Sequence, residues 1–105
     1  MKVKKIQPWR VAMETEIEQA GLATWKEDGW YRYRLVVAVK GVFEVEMQAW
    51  DDSRIAWAWW GPGWALGNSG APLTGFTVAE AEMKAQQRIA LRRRTLARDG
   101  VKDAN

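Results

Sequence analysis

Few side chains in this sequence are suited to covalent chemistry. Ser69 lies in the segment GNSGA, residues 67–71, and is followed by a glycine, as nucleophilic serines in tight turns often are. The chain has no histidine and no cysteine. The general base that such a serine needs is therefore missing, and cysteine nucleophiles, thiolate metal sites and disulfides are excluded as well. We expect no catalytic residues and no enzyme activity.

Phosphate and metal sites have little support either. The glycine-rich segment GPGWALG, residues 61–67, contains Pro62, which lacks an amide donor, and no helix pattern follows it directly. Four acidic residues lie between positions 44 and 52. They do not form an oxygen cluster with the ligand count that a hard cation requires. We therefore expect no cofactor and no metal ion.

The residue types that remain are suited to binding. Four of the eight tryptophans lie between residues 55 and 64, and tryptophan and arginine are enriched in the hot spots of protein interfaces. The segment RIALRRRTLAR, residues 88–98, contains five arginines and no acidic residue. Such a run suits contacts with phosphate, although cations near the end of a helix also simply favour its dipole.

The distribution of charge distinguishes these two groups. The formal net charge is +3, but residues 11–76 contain five cations against nine acidic side chains, and the excess of lysine and arginine lies at the two ends. A folded face that binds nucleic acid concentrates positive charge. The acidic body of the chain therefore favours a protein partner over a phosphate backbone.

The first element that must position these residues lies in the segment 8–21. Apolar residues at 9, 13, 17 and 20 follow helical spacing, Pro8 suits a first helical turn, and Gly21 suits the position after a helix end. The same segment also alternates in the manner of a strand, so both interpretations are open.

A β-hairpin follows. Apolar residues alternate through 30–39 and 42–50, and a three-residue loop at 39–41 would place Gly41 in the left-handed region. Residues whose numbers sum to 80 then face each other, so that Leu35 meets Val45 and Arg34 meets Glu46. Apolar residues meet apolar residues and a cation meets an anion, which is the pairing expected of a stable sheet.

The third predicted strand runs from Ile55 to Trp60, after a turn at 51–54. Continuing the alternation places Trp57 and Trp59 on the odd-numbered face, which we expect to be the core. Trp30, Trp50 and Trp60 then lie on the opposite face among charged residues. The loop 61–75 that follows is long, and within it Trp64 either folds back over the sheet or joins a short edge strand.

A long helix closes the chain. Thr77 and Glu80 have the spacing of a capping box, and Phe76 would pack against Ala81. The apolar stripe of this helix suits the odd-numbered face of the sheet. It consists of Val78, Ala85, Ile89 and Leu96, with Ala81 at its flank. We predict an α+β fold with a three- to four-stranded antiparallel sheet, the C-terminal helix packed on one face, and an N-terminal helix if 8–21 is helical. One domain, 1–105, is expected, with flexible tails at 1–8 and 97–105.

The arrangement of tryptophan-bearing strands, a glycine-rich loop and the helix GFTVAEAEMKAQQRI, residues 75–89, resembles small proteins encoded by phages and prophages, over residues 25–95. Members of that group bind and regulate or inhibit host machinery, anti-CRISPR proteins among them. The order of elements is also similar to double-stranded-RNA-binding domains, whose last helix begins with a lysine cluster. This chain has Glu80 and Glu82 there instead.

The function that we expect is a non-catalytic protein-binding module, a phage-type regulator or inhibitor that docks on a host protein or complex. The expected partner-binding residues are Trp30, Arg32, Arg34, Trp50, Trp60 and Trp64. Such a patch also suits the face of a symmetric homodimer. The competing interpretation is a second small core, in which the N-terminal helix or the glycine-rich loop covers these rings.

The alternative function is nucleic-acid binding through the basic N-terminus and the arginine run. The residues expected to bind in that case are Arg88, Arg92, Arg93, Arg94 and Arg98. No apolar stretch is long enough to span a bilayer, and acidic residues interrupt the segment after the basic N-terminus. We expect a cytoplasmic protein with no membrane partner.

Overall fold

The computed structural model describes residues 7–59, 72–98 and 100. Its elements, in chain order, are α1 (Pro8–Gln19), β1 (Lys26–Asp28), β2 (Tyr31–Val37), β3 (Phe43–Asp51), β4 (Ala56–Trp59), β5 (Thr74–Gly75) and α2 (Val78–Arg98). All strand pairs are antiparallel, in the order β1-β2-β3-β4, and β5 pairs with β3 as well. The predicted α+β class is confirmed, with an N-terminal helix.

The segment around α1 is helical rather than extended, and its end shows why. Gly21 has a φ of +72°. The Leu22 N–H donates to the Ile17 carbonyl and the Gly21 N–H donates to the Glu18 carbonyl, both at 3.0 Å. These paired bonds close a helix in the way that a left-handed glycine permits. Of the predicted stripe, Ile17 is buried and Met13 packs against the core, whereas Trp9 is exposed.

The predicted β2–β3 hairpin is confirmed in register. Leu35 lies opposite Val45 and Arg34 lies opposite Glu46. The Ala38 N–H donates to the Val42 carbonyl at 2.9 Å, which closes the three-residue loop. Gly41 has a φ of +77°. A local turn and two alternating strands therefore determine this part of the sheet.

The predicted facing of β4 is wrong. Trp50 lies opposite Trp57 and Gln48 lies opposite Trp59, so both β4 tryptophans share the even-numbered face of β3. The connection extends through Ile55, which has a φ of +52°, and the strand begins at Ala56. The four-residue connection 52–55 leaves Asp51 paired with Ala56, so odd-numbered residues of β3 lie opposite even-numbered residues of β4. Because paired residues place their side chains on the same face, this register puts Trp57 and Trp59 on the even-numbered face of β3 rather than in the core.

Two strands were not predicted. β1 pairs with β2 through a two-residue turn that contains Gly29, at a φ of +62°. A glycine at the first position of a two-residue turn, as in Gly29–Trp30, is a known hairpin signal. β5 lies within the predicted 61–75 loop, at Thr74–Gly75. The edge strand considered at Trp64 lies outside the described residues.

The start of α2 is capped largely as expected. The Glu80 N–H donates to Thr77 Oγ1 at 3.0 Å, and the Glu80 carboxylate accepts the Phe76 N–H at 3.1 Å. The predicted contact of Phe76 with Ala81 is wrong, because Phe76 is 81% exposed. Ala81 lies against Gly75 instead, so closely that a Cβ on Gly75 would lie 2.6 Å from the Ala81 nitrogen.

The core lies between the odd-numbered face of the sheet and the two helices. Small residues on α2 let the helix approach the strands closely, and β2 and β3 supply the larger side chains. The buried apolar residues are Ile17, Leu22, Tyr31, Tyr33, Leu35, Val37, Phe43, Val45, Met47, Ala81, Ala85 and Ile89. Within the described ranges, no helix has the length and apolar character to cross a bilayer.

Candidate functional site

The even-numbered face of the sheet, opposite α2, carries a cluster of interleaved tryptophans and arginines. We call it the Trp–Arg face. It comprises Trp25, Arg32, Arg34, Glu46, Gln48, Trp50, Trp57 and Trp59. Alternation in β2, β3 and β4 places these residues on one side, because their odd-numbered neighbours in β2 and β3 point into the core.

Arg32 lies at the centre of this face. Its guanidinium carbon is 4.6 Å from the centre of the Trp25 ring and 4.4 Å from that of Trp57. Its Nε donates to Gln48 Oε1 at 2.7 Å. The cation therefore lies between two indole rings and is also held by a cross-strand hydrogen bond.

Arg34 repeats this arrangement one row along the sheet. Its guanidinium carbon is 4.4 Å from the centre of the Trp25 ring, and its Nε donates to Glu46 Oε1 at 2.7 Å. The pairing of Arg34 with Glu46 follows the predicted register. Both side chains are about one-third exposed, so the ion pair lies at the surface rather than in the core.

The tryptophans also contact each other. The Trp25 and Trp59 ring centres are 5.8 Å apart, and the rings of Trp50 and Trp57 meet edge to face at 5.5 Å. Such pairs stabilise a fixed geometry. Trp59 is nevertheless 60% exposed, whereas its neighbours Trp25, Trp50 and Trp57 are half-buried.

The balance of charge on this face is close to neutral. Arg32 and Arg34 supply two positive charges, and three glutamates lie on the same side of the sheet, at positions 27, 44 and 46. The segment 60–71, which the structure does not describe, contains no charged residue. A surface with this balance does not have the excess of cations that phosphate binding requires.

Of the predicted partner-binding residues, the structure brings Arg32, Arg34 and Trp50 together on this face. Trp30 is half-buried in the turn before β2, where its carbonyl accepts the Trp50 N–H at 2.7 Å. Trp60 and Trp64 lie outside the described residues.

Three residues of the face were missed, namely Trp25, Trp57 and Trp59. Trp57 and Trp59 were assigned to the core through the wrong facing of β4. Trp25 precedes β1, and continuing the β1–β2 register places it opposite Arg34. The hairpin signal of Gly29 at the first turn position could have located Trp25. The contact between Trp25 and Trp59 joins residues far apart in sequence and has no local signal.

The predicted arginine run on α2 takes part in the fold. Arg93 Nη2 lies 3.2 Å from Asp28 Oδ1 and 3.0 Å from the Asp28 carbonyl, and its guanidinium lies 5.3 Å from the centre of the Tyr31 ring. Arg88, Arg92 and Arg98 also have interaction partners. Arg94 and Arg98 are exposed. Arg93 therefore links α2 to β1, and its guanidinium is less available to bind phosphate.

A polar network joins α2 to the sheet on the core side. Tyr33 Oη donates to Glu82 Oε2 at 2.8 Å and accepts from Gln86 Nε2 at 3.2 Å. Lys26 Nζ also donates to Glu82 Oε2, at 2.8 Å. The hydrogen bond from Lys26 is the main cause of the lowered Glu82 pKa, and burial is the main cause of the raised Tyr33 pKa.

This network has the geometry of a structural contact. Tyr33 is buried and hydrogen-bonded at both donor and acceptor sites, so its hydroxyl is not directed at an open site. The hydrogen bond to Glu82 also raises the pKa of Lys26. In the part of the chain that the structure describes, no group of three or more acidic side chains is placed to hold a metal ion.

A shallow cavity of about 300 Å³ lies between α1 and the edge of β2. Arg10 and Glu14 form an ion pair at its rim, with Arg10 Nε 3.3 Å from Glu14 Oε1. Arg10 Nη2 also donates to the Val37 carbonyl at 3.0 Å. These groups protect the edge of β2 and do not form an acid–base pair.

Comparisons of the chain with protein-family models, with curated proteins and with solved structures find no match. The Trp–Arg face is therefore characterised by its own geometry alone.

Proposed function

We propose that this protein is a non-catalytic protein-binding module that docks on its partner through the Trp–Arg face. The observation that carries the proposal is the exposed ring of Trp59, which packs against Trp25 within a fixed cluster of aromatic and cationic side chains. Large rings are usually buried, and an exposed aromatic cluster rimmed by charge is typical of an interaction site.

The rigidity of the face supports this proposal. The rings of Trp25 and Trp57 are held by Arg32, which Gln48 holds in turn. Binding costs free energy when mobile side chains become ordered at an interface. A cluster that is ordered before the partner arrives avoids much of that cost, so its residues are suited to be hot spots.

We further propose that the partner is a host protein or complex and that the module acts there as a regulator or inhibitor of the phage type, in the cytoplasm. The support for this part is the resemblance of residues 25–95 to small phage and prophage proteins. The near-neutral charge of the Trp–Arg face is consistent with a protein partner.

The test is affinity capture from a bacterial host lysate with immobilised wild-type protein and two variants. Trp59→Ala removes the exposed indole of the face, and Trp9→Ala removes an exposed indole on α1 as a matched control. We expect at least one protein to be retained by the wild type and by Trp9→Ala but lost by Trp59→Ala. Equal retention by all three would contradict the proposal.

The competing function is nucleic-acid binding by the arginine run, which the exposure of Arg94 and Arg98 favours. It predicts binding to duplex DNA or RNA that falls steeply with added salt and is weakened by Arg94→Glu. Protein binding through the Trp–Arg face predicts little dependence on salt and no effect of Arg94→Glu. A salt titration of each complex therefore distinguishes the two functions.

A further inference from the structure

The two edges of the sheet differ in how far their backbone N–H and C=O groups are covered by other parts of the chain. On one side the sheet ends in the short strand β1, which covers residues 31–33 of β2. Beyond β1, the Leu35 N–H donates to the Leu22 carbonyl at 2.9 Å, and Arg10 Nη2 donates to the Val37 carbonyl at 3.0 Å. These contacts cover the backbone groups that would otherwise accept a foreign strand. At the other edge, β4 is the terminal strand, and among the described residues no strand pairs with its outer side.

The direction of the backbone groups of β4 follows from the register. The Trp50 N–H donates to Trp30, so even-numbered residues of β3 direct their backbone groups toward β2. Odd-numbered residues of β3 therefore face β4, where Ala49 pairs with Ala58 and Asp51 pairs with Ala56. Backbone groups alternate along a strand, so those of Trp57 and Trp59 point away from the sheet.

The open edge and the Trp–Arg face thus meet at the same two residues. Trp57 and Trp59 carry side chains of the face, and their N–H and C=O groups form the edge of the sheet. Residues that pair across neighbouring strands place their side chains on the same face. A strand added at this edge would therefore place alternate side chains beside the Trp57 and Trp59 rings.

We propose that β4 binds an extended segment of the protein partner, which pairs antiparallel with the backbone of Trp57 and Trp59, as the strands of the sheet do with each other, and places apolar side chains on the Trp–Arg face. This inference rests on the proposed function and deepens it, because it assigns the partner a conformation and a pattern of alternate apolar residues. Hydrogen bonds to the backbone would supply the register, and the indole rings would select the side chains.

The first measurement is amide hydrogen exchange in the free protein. The amides of Trp57 and Trp59 should exchange at least about tenfold faster than that of Ala58, which pairs with β3. Slow exchange at Trp57 and Trp59 would mean that the chain's own residues or a second copy already occupy the edge, and would overturn the proposal.

The second measurement uses a synthetic peptide of about seven residues, the length of a typical strand, in which valine and lysine alternate. In an antiparallel peptide, the residues that bond inward to β4 also carry their side chains on the Trp–Arg face, so the valines should do both. Peptide at millimolar concentration should slow exchange at Trp57 and Trp59. Methylation of the valine amides should abolish this protection, and methylation of the lysine amides, the matched control, should preserve it.

Absence of protection, or equal binding by both methylated peptides, would overturn strand addition. The proposed function has a separate outcome: loss of a captured host protein in Trp59→Ala would still support docking on the Trp–Arg face through side chains alone.

Discussion

At the scale of single residues, Trp25 is, with Arg32, one of the two residues that connect most of the Trp–Arg face. Its ring contacts Arg32, Arg34 and Trp59, which come from two different strands. A cation on a ring contributes about 0.5–1 kcal/mol when exposed and more when desolvated. The ring therefore acts chiefly by fixing the positions of the arginines and of the exposed Trp59.

Replacing Trp25 should loosen this face without unfolding the protein. We expect Trp25→Ala to lower the free energy of unfolding by about 1–3 kcal/mol, because two cation–π contacts and a ring pair are lost. The near-ultraviolet circular dichroism of the coupled indoles should weaken at the same time. Trp25→Phe, which keeps an aromatic ring, should recover a large part of both signals; an unchanged spectrum in Trp25→Ala would contradict the assigned contacts.

The ionisation of Tyr33 affects the stability of the fold at high pH. Burial raises its pKa above the usual value of 10.0, so the folded state prefers the neutral hydroxyl. This contribution to stability is fully present below pH 10 and is lost as the pH rises from there through the pKa of the folded state. The raised pKa of Lys26 has the same effect, because its contribution to stability is lost as the pH rises above 10.5. The lowered pKa of Glu82 acts in the opposite way, because its contribution is lost as the pH falls below 4.5.

The Tyr33→Phe variant tests this linkage. At neutral pH we expect a loss of about 1 kcal/mol, because Glu82 and Gln86 each lose a hydrogen bond. Above pH 10 the unfolding free energy of the wild type should fall more steeply than that of the variant. Urea denaturation across this pH range provides the comparison, and parallel curves for the two proteins would show that Tyr33 does not titrate as described.

At the scale of elements, Gly21 and Gly75 each occupy a position that disfavours any larger residue, for different reasons. Gly21 ends α1 at a positive φ with no atom near the position of a Cβ, whereas Gly75 in β5 lies so close to Ala81 that α2 and the sheet would have to separate. The first constraint is backbone strain and the second is direct overlap with backbone atoms. The packing of α2 on β5 therefore depends on the absence of a single side chain.

Substitutions at these glycines should separate the two effects. We expect Gly21→Ala to cost about 1 kcal/mol, from strain in the left-handed region, and Gly21→Asn to recover part of it. Gly75→Ala should cost about 3 kcal/mol or more, because the overlap is with the backbone of Ala81. Thermal denaturation of the three variants gives the order directly. A Gly75→Ala protein as stable as the wild type would contradict the close approach of α2.

At the scale of the whole molecule, the core and the proposed binding surface lie on opposite faces of the sheet. Its odd-numbered face holds Tyr33, Leu35 and the small residues of α2, all buried. Its even-numbered face is the Trp–Arg face, on which Trp59 is exposed. A partner can therefore occupy one face while the other keeps the domain folded.

This separation predicts that one substitution on each face will affect stability and partner capture to different extents. Ile89→Ala should lower the free energy of unfolding by about 2–5 kcal/mol, because Ile89 is 1% exposed in the core. Trp59→Ala should lower it by only about 1 kcal/mol, the value of one aromatic contact, while abolishing capture of the partner. Calorimetry and the capture assay on both variants provide the test. Comparable destabilisation by the two would place Trp59 in the core after all.

Much of this fold could be predicted because local signals determine it. The loop 39–41 specifies the β2–β3 register, Gly21 and Thr77 mark helix ends, and alternation from Tyr31 to Met47 marks the core face. Each of these features depends on neighbours in sequence, and their physical basis is turn geometry, capping and the period of the side chains.

The composition of the Trp–Arg face was decided by tertiary structure. The pairing of Asp51 with Ala56 determined the face on which Trp57 and Trp59 lie. Contacts between distant residues placed Trp25 over the arginines and Arg93 on Asp28. The sequence by itself determined a tryptophan-rich antiparallel sheet with a capped helix, without histidine or cysteine chemistry. Only the folded chain decided which indoles remain exposed, because exposure depends on strand facing and on long-range packing.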